Sequence, residues 1–130
     1  MSKADLSKEK ILNEAINEFA HAGYAGASTN KIMQNTGLAK GLLFHYFPSK
    51  QALFNACLEN ILSTFQKDLD IFMQNMSEDL FERLADFLTW KSRLAQEQPI
   101  TLRFLLGLAN LPPEIRVSTD DLLLTLRQKN

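Results

Sequence analysis

Apolar residues recur at three- and four-residue steps along most of this chain, and period-two alternation is nowhere sustained. From Ser7, which can serve as an N-cap, the stripe Ile11, Leu12, Ala15, Ile16, Phe19 predicts a first helix, stopped at Gly23 with Tyr24 folding back as an anchor. Ser28 then caps a second helix carrying Ile32 and Met33, and Gly37 closes it with a turn that favours φ > 0. The segment Ala39–Phe47 reads as a third helix, ended by Pro48, and Ser49 caps a fourth. That fourth helix keeps its period from Leu53 through Phe54, Cys57, Leu58, Ile61, Phe65, Leu69 and Phe72 to Met73, about 25 residues, longer than a typical globular helix.

Beyond it, Ser77 followed by Glu78 and Asp79 predicts a restart, with acids at the positive end of a helix dipole, ahead of Leu80, Phe81, Leu84, Phe87, Leu88 and Leu94. Pro99 breaks this helix. A shorter one is expected over Ile100–Leu111, and Pro112-Pro113 breaks it in turn. The last segment shows a capping-box pattern, Ser118-x-x-Asp121, before Leu122–Leu126, with Arg127 and Lys129 at the end. The expectation is an all-α protein: a three-helix helix-turn-helix head over residues 1–50, joined by the long fourth helix to a second helical bundle over 51–130.

Charge sharpens this reading. No Asp or Glu occurs from Phe19 through Leu58, whereas Lys31, Lys40 and Lys50 all fall inside that window, although the whole chain sums to −1. Residues 1–50 carry six lysines against four acids, and 51–130 carry eight basic residues against eleven acids, so the head is net +2 and the body −3. A head without acids can approach a polyanion. The single cysteine, Cys57, excludes an internal disulfide, and its apolar helical setting predicts an inert buried thiol in a reducing cytoplasm. The polar start MSKADLSKEK does not read as a signal peptide, and no apolar run reaches the ~18 residues of a membrane span.

The layout from Ser28 to Lys50 matches a motif that lays its second helix in the DNA major groove. Ile32, Leu38, Leu43 and Phe47 form the expected apolar wedge. Between them, Lys40 can reach a phosphate or guanine, Gly41 removes a side chain where the helix meets the DNA backbone, and Leu42 and Phe44 offer carbon to a thymine methyl. His45 suits a base edge or phosphate, and Tyr46 and Lys50 suit phosphates. Ser28 and Thr29 would present hydroxyls and backbone N–H groups at a helix N-terminus. In the body, Phe65, Trp90, Arg93, Arg103 and Phe104 are candidates for an effector pocket, against the plainer reading that such side chains fill a bundle core. His21 and His45 have no ligand-spaced partners and there is no phosphate-cradling glycine loop, so no metal, cofactor or catalytic role is expected.

Ile11-Leu12, Phe19, Gly23-Tyr24, Ser28, Ile32, Thr36-Gly37, and Lys40-Gly41-x-Leu43-Phe44-His45-Tyr46-Phe47-Pro48-Ser49-Lys50 followed by Ala52-Leu53-Phe54 together carry a resemblance. The stretch Ile11–Phe54 resembles the DNA-binding domain of the tetracycline-repressor (TetR) family of bacterial transcription regulators. The resemblance implies a two-fold symmetric repressor that binds a palindromic operator and releases it when a small molecule enters the C-terminal domain. It also implies phosphate contacts at Ser28, Tyr46 and Lys50, and base reading at Lys40, Leu42, Phe44 and His45. The chain departs from the pattern at Ala27, at Ala39 where a serine usually opens the recognition helix, and at Leu42 where threonine is common. Losing a hydroxyl cap costs ~0.5–2 kcal/mol. Family members usually continue for fifty or more residues to build their dimer interface, which leaves open a truncated regulator, a fragment, or a short relative that dimerises otherwise. The alternative function is a helical interaction module that pairs with another regulator without binding DNA itself.

Overall fold

The computed structural model describes residues 2–129, with the side chains of Leu126 and Lys129 outside the described set. The described residues form helices and no strand. They are α1 (Lys3–Gly26), α2 (Thr29–Thr36), α3 (Leu42–Tyr46), α4 (Lys50–Gln74), α5 (Leu80–Glu97), α6 (Pro99–Leu106) with a following 3-10 turn (Gly107–Asn110), and α7 (Pro113–Lys129).

Helix ends differ from the sequence reading where polar atoms rather than apolar spacing set them. α1 starts at Ser2, not Ser7: the Ser2 hydroxyl accepts from the Asp5 N–H and the Asp5 carboxylate accepts from the Ser2 N–H, a reciprocal capping box. Its first turn has no core-facing residue, and Leu6 is exposed, so the apolar stripe could not reveal it. α5 is capped by Asp79, whose carboxylate accepts from the Glu82 N–H at 3.0 Å, while the Ser77 hydroxyl bonds the Glu82 carboxylate. α7 starts at Pro113, so Ser118 lies inside the helix, where its hydroxyl accepts from Asn55 on α4 rather than capping a new segment. α6 begins at Pro99 itself, a position where the missing N–H costs nothing.

The positions that close the head are as expected. Gly23 (φ 73°) breaks α1, and Gly37 (φ 71°) ends α2 in the left-handed region. Ser49 accepts from the Ala52 N–H at 3.0 Å to start α4. Tyr24 folds back to stack on Phe19 with ring centroids 5.9 Å apart.

The core is where sequence order and packing part. Ile11, Ala15, Phe19, Ile32, Leu43, Phe47, Leu53, Phe54, Cys57 and Leu58 are buried together, as the head's pattern predicts. Phe104, Leu111 and Ile115 join that same cluster from the far end of the chain. Phe104 stacks on Phe54 at 5.3 Å and meets Phe19 edge-on at 6.4 Å, so rings from α1, α4 and α6 share one centre. Residue 50 therefore marks a helix start but not a break in the hydrophobic core.

Candidate nucleic-acid interface

The helix-turn-helix is held from within by Thr36. Its hydroxyl donates to the Met33 carbonyl at 2.8 Å and accepts from the Leu38 N–H at 3.1 Å, which directs the chain out of α2 and through the Gly37 turn. α3 is shorter than the expected Ala39–Phe47. Without a hydroxyl cap it begins at Leu42, whose N–H is taken by the Ala39 carbonyl at 3.0 Å. Leu43 and Phe47 bury one side of this segment, and the Lys8 ammonium lies 5.7 Å from the Phe47 ring.

The other side is open. Lys40, Gly41, Phe44 and His45 are exposed, with Phe44 at 53%. A buried role for Phe44 against α4 is thereby excluded. The Gly41 backbone has φ −68°, and a Cβ built there meets nothing within 4 Å, so no internal contact requires glycine at that position. The His45 and Tyr46 rings lie edge to face, 5.2 Å apart.

Five candidate residues sit differently from the sequence reading. Leu42 and Tyr46 are half-buried and pack partly against the core, because five residues of helix cannot turn both fully outward while Leu43 and Phe47 point in. The Lys50 ammonium lies 4.9 Å over the Tyr24 ring and donates to the Ala25 carbonyl at 3.4 Å, so it is drawn back toward the end of α1. The Ser28 N–H is not free: it donates to the Glu18 carboxylate at 2.8 Å, while the Ser28 hydroxyl accepts from the Lys31 N–H at 3.2 Å. Thr29 is half-buried beside it.

Glu18 is a residue of the candidate site that the sequence pattern does not single out. It lies one position before the acid-free window, yet it is buried, and its other oxygen stands 3.8 Å from the Lys31 ammonium. Its signal was an acid next to Phe19 on the helix's buried side, where burial without a partner is costly.

The effector-pocket candidates do not converge. Trp90 and Arg93 line a hollow of about 240 Å³ between α4 and α5, with Asp68, Phe72 and Gln98. Phe65 touches the Trp90 ring at 5.6 Å but lines a broader cavity of about 720 Å³ between α4 and α7, with Lys67 and Arg127. Arg103 is exposed on α6 and lines neither space. Phe104 is 3% exposed inside the head's aromatic cluster, so it is a core residue and not a pocket wall; α6 turns its ring toward α1. Cys57 is buried, and burial raises its thiol pKa well above the ordinary value. Among the described residues no group of three His, Cys, Asp or Glu stands where it could hold a metal ion, and no helix is long and apolar enough to cross a membrane.

Residues 11–57 match the sequence model of bacterial regulatory proteins of the TetR family, the same stretch that builds this head. Residues 11–57 are a TetR-family head. The chain is 29% identical over 99 residues to the HTH-type transcriptional regulator RutR of Escherichia coli (strain K12), which covers 75% of this chain and 46% of RutR. It is 40% identical over 50 residues to the HTH-type transcriptional repressor AcnR of Corynebacterium efficiens, 38% of this chain and 27% of that protein. The fold aligns with a solved TetR-family transcriptional regulator from Agrobacterium tumefaciens at TM-score 0.72 and 19% identity, over 97% of this chain and 66% of the other. The chain spans about half the length of RutR. The helical layout described above, a helix-turn-helix head on a helical body, is the fold of that solved structure.

Proposed function

We propose that this chain is the DNA-binding part of a repressor that acts as a homodimer on a palindromic operator in the cytoplasm. Two α3 segments enter successive major grooves about 34–36 Å apart. The observation that carries this reading is the open side of α3: Lys40, Gly41, Phe44 and His45 are turned to solvent from a segment whose opposite side is sealed. Lys40 and Lys50 neutralise phosphate, Tyr46 and Thr29 position the backbone, and Phe44 and His45 read base edges. Leu42, half-buried, contributes only its outer methyl. An apolar small molecule carrying an acid or amide is the proposed effector, held by Trp90 and Arg93 between α4 and α5. A space near 240 Å³ is below the usual ~300–1,000 Å³ of ligand pockets, so α4 and α5 would part to admit it.

The test is titration of operator-length duplexes at two salt concentrations. Binding should weaken steeply with salt; Lys40→Ala should weaken all sequences alike, and His45→Ala should change which sequence is preferred. Binding that ignores salt would count against the reading.

A second reading, a helical module that pairs with another regulator, is favoured by one observation: Leu80, Phe81, Leu84 and Leu88 leave one side of α5 apolar and exposed. Sedimentation separates the two readings, because a strict monomer with no duplex affinity fits only the second.

A further inference from the structure

Folding carries a negative charge into the acid-free window. Glu18 precedes that window in sequence, but α1 lies against α2 and brings its carboxylate to the start of the helix-turn-helix. One oxygen accepts the Ser28 N–H at 2.8 Å; the other stands 3.8 Å from the Lys31 ammonium. The two partners are unlike. The Glu18 side chain is only 9% exposed, whereas that of Lys31 is 66% exposed, so the acid is fixed and the lysine is held at the surface by it. Two amides at this helix start are already engaged, that of Ser28 by Glu18 and that of Lys31 by the Ser28 hydroxyl.

We propose that Glu18 is a positioning residue that also attenuates DNA affinity: it pins the start of α2 to α1 while cancelling the charge of Lys31 and repelling phosphate from the Ser28 amide. The inference rests on the DNA-binding reading above. Its reach is the sequence-independent part of binding, since a charge beside the phosphates acts on every duplex alike. The head therefore works with Lys40 and Lys50 as its unopposed cations in the former acid-free window, one fewer than its sequence offers.

Glu18→Gln separates the two roles, because an amide oxygen still accepts the Ser28 N–H but carries no charge. Duplex of arbitrary sequence is titrated by fluorescence anisotropy over about 50–200 mM salt with the wild type, E18Q, K31A and the double variant. E18Q should melt at the wild-type temperature, bind several-fold tighter, and steepen the salt slope by ~0.9 per bound subunit as Lys31 gains a phosphate. K31A alone, which leaves the Glu18 carboxylate uncompensated, should weaken binding several-fold, and the double variant should bind about as the wild type does. Glu18→Leu, which removes the acceptor, should lower the melting temperature.

K31A alone binding within about twofold of the wild type would show that this charge pair does not act on the duplex and overturn the proposal. So would an E18Q protein that melts normally and binds as the wild type does. The K31A arm decides even where E18Q fails to fold. Absence of duplex binding by the wild type would instead remove the functional reading itself, and this inference with it.

Discussion

The head and α5 are built from the same apolar helical repeat and meet opposite fates. In the head, Ile11, Ile32, Leu43, Leu53 and Leu58 are wholly buried, because α1, α2, α3 and α4 turn their stripes toward one centre and α6 covers what remains. In α5 only Leu94 is buried, while Leu80 is 75% and Phe81 82% exposed. Trp90 holds α5 to α4 through Phe65 and Phe72, at 5.6 and 5.3 Å, while Leu80, Phe81, Leu84 and Leu88 stay exposed. An apolar period thus states that a helix has a side to bury, and not that its own chain supplies the cover. The proposed function divides along the same line: the closed region would hold the proposed recognition surface rigidly, and the open one has a surface without a described neighbour.

That contrast can be attacked from its strongest point downward. Phe104 lies late in the sequence but in the head's core, so Phe104→Ala should destabilise the protein by ~3–5 kcal/mol in chemical denaturation and weaken duplex binding as well. A loss below about 1 kcal/mol would mean that α6 does not belong to the head.

Alkaline unfolding gives the next largest effect. Burial holds the Cys57 thiol protonated in the folded state, and burial, then the Glu114 carboxylate, raises the Tyr24 hydroxyl. Above the unfolded thiol's pKa of ~8.5 the unfolded chain binds fewer protons, so stability should fall with rising pH by up to ~1.4 kcal/mol per unit, and more steeply once the unfolded tyrosine titrates near ~10. Below pH ~8 these two groups contribute their full stabilisation and no slope. Cys57→Ala should flatten the first part of that curve, whatever it does to absolute stability. A thiol reagent should react with Cys57 only as the protein unfolds.

Gly37→Ala places a Cβ at φ 71° and should cost ~1–2 kcal/mol by thermal or urea melting, although space is available there. Smallest is Phe81→Ser in α5, which should alter stability by no more than ~0.5 kcal/mol in the monomer while reducing self-association or loss of protein to aggregates. A large stability loss from Phe81→Ser would erase the difference between the two regions.

What could be read from the chain follows the same physics. The head was legible because its signals are local: Ser28, Gly37, Pro48 and Ser49 each act within one turn, and the apolar stripes between them share a centre. The start of α1 was not, since the Ser2–Asp5 capping box sits ahead of the first core residue. Ser77 and Ser118 look like caps, but the helix-start geometry falls to Asp79 in one case and a proline in the other. Phe104 reads from the sequence as either pocket or core, because spacing cannot say which way α6 returns. In the candidate site, the exposure of Lys40, Phe44 and His45 agrees with the reading of an outer face, whereas the retreat of Lys50 onto Tyr24 depends on a cross-helix contact. The Glu18 clasp is likewise tertiary: it joins residues ten positions apart across the break between α1 and α2.

The account turns on the open side of α3, and amide chemical-shift mapping with a short duplex tests it residue by residue. It predicts the largest changes at Lys40, Gly41, Phe44 and His45, smaller ones at Thr29 and Lys50, and none along Leu80–Leu88. Changes confined to α5, or no change at α3 at saturating duplex, would contradict it.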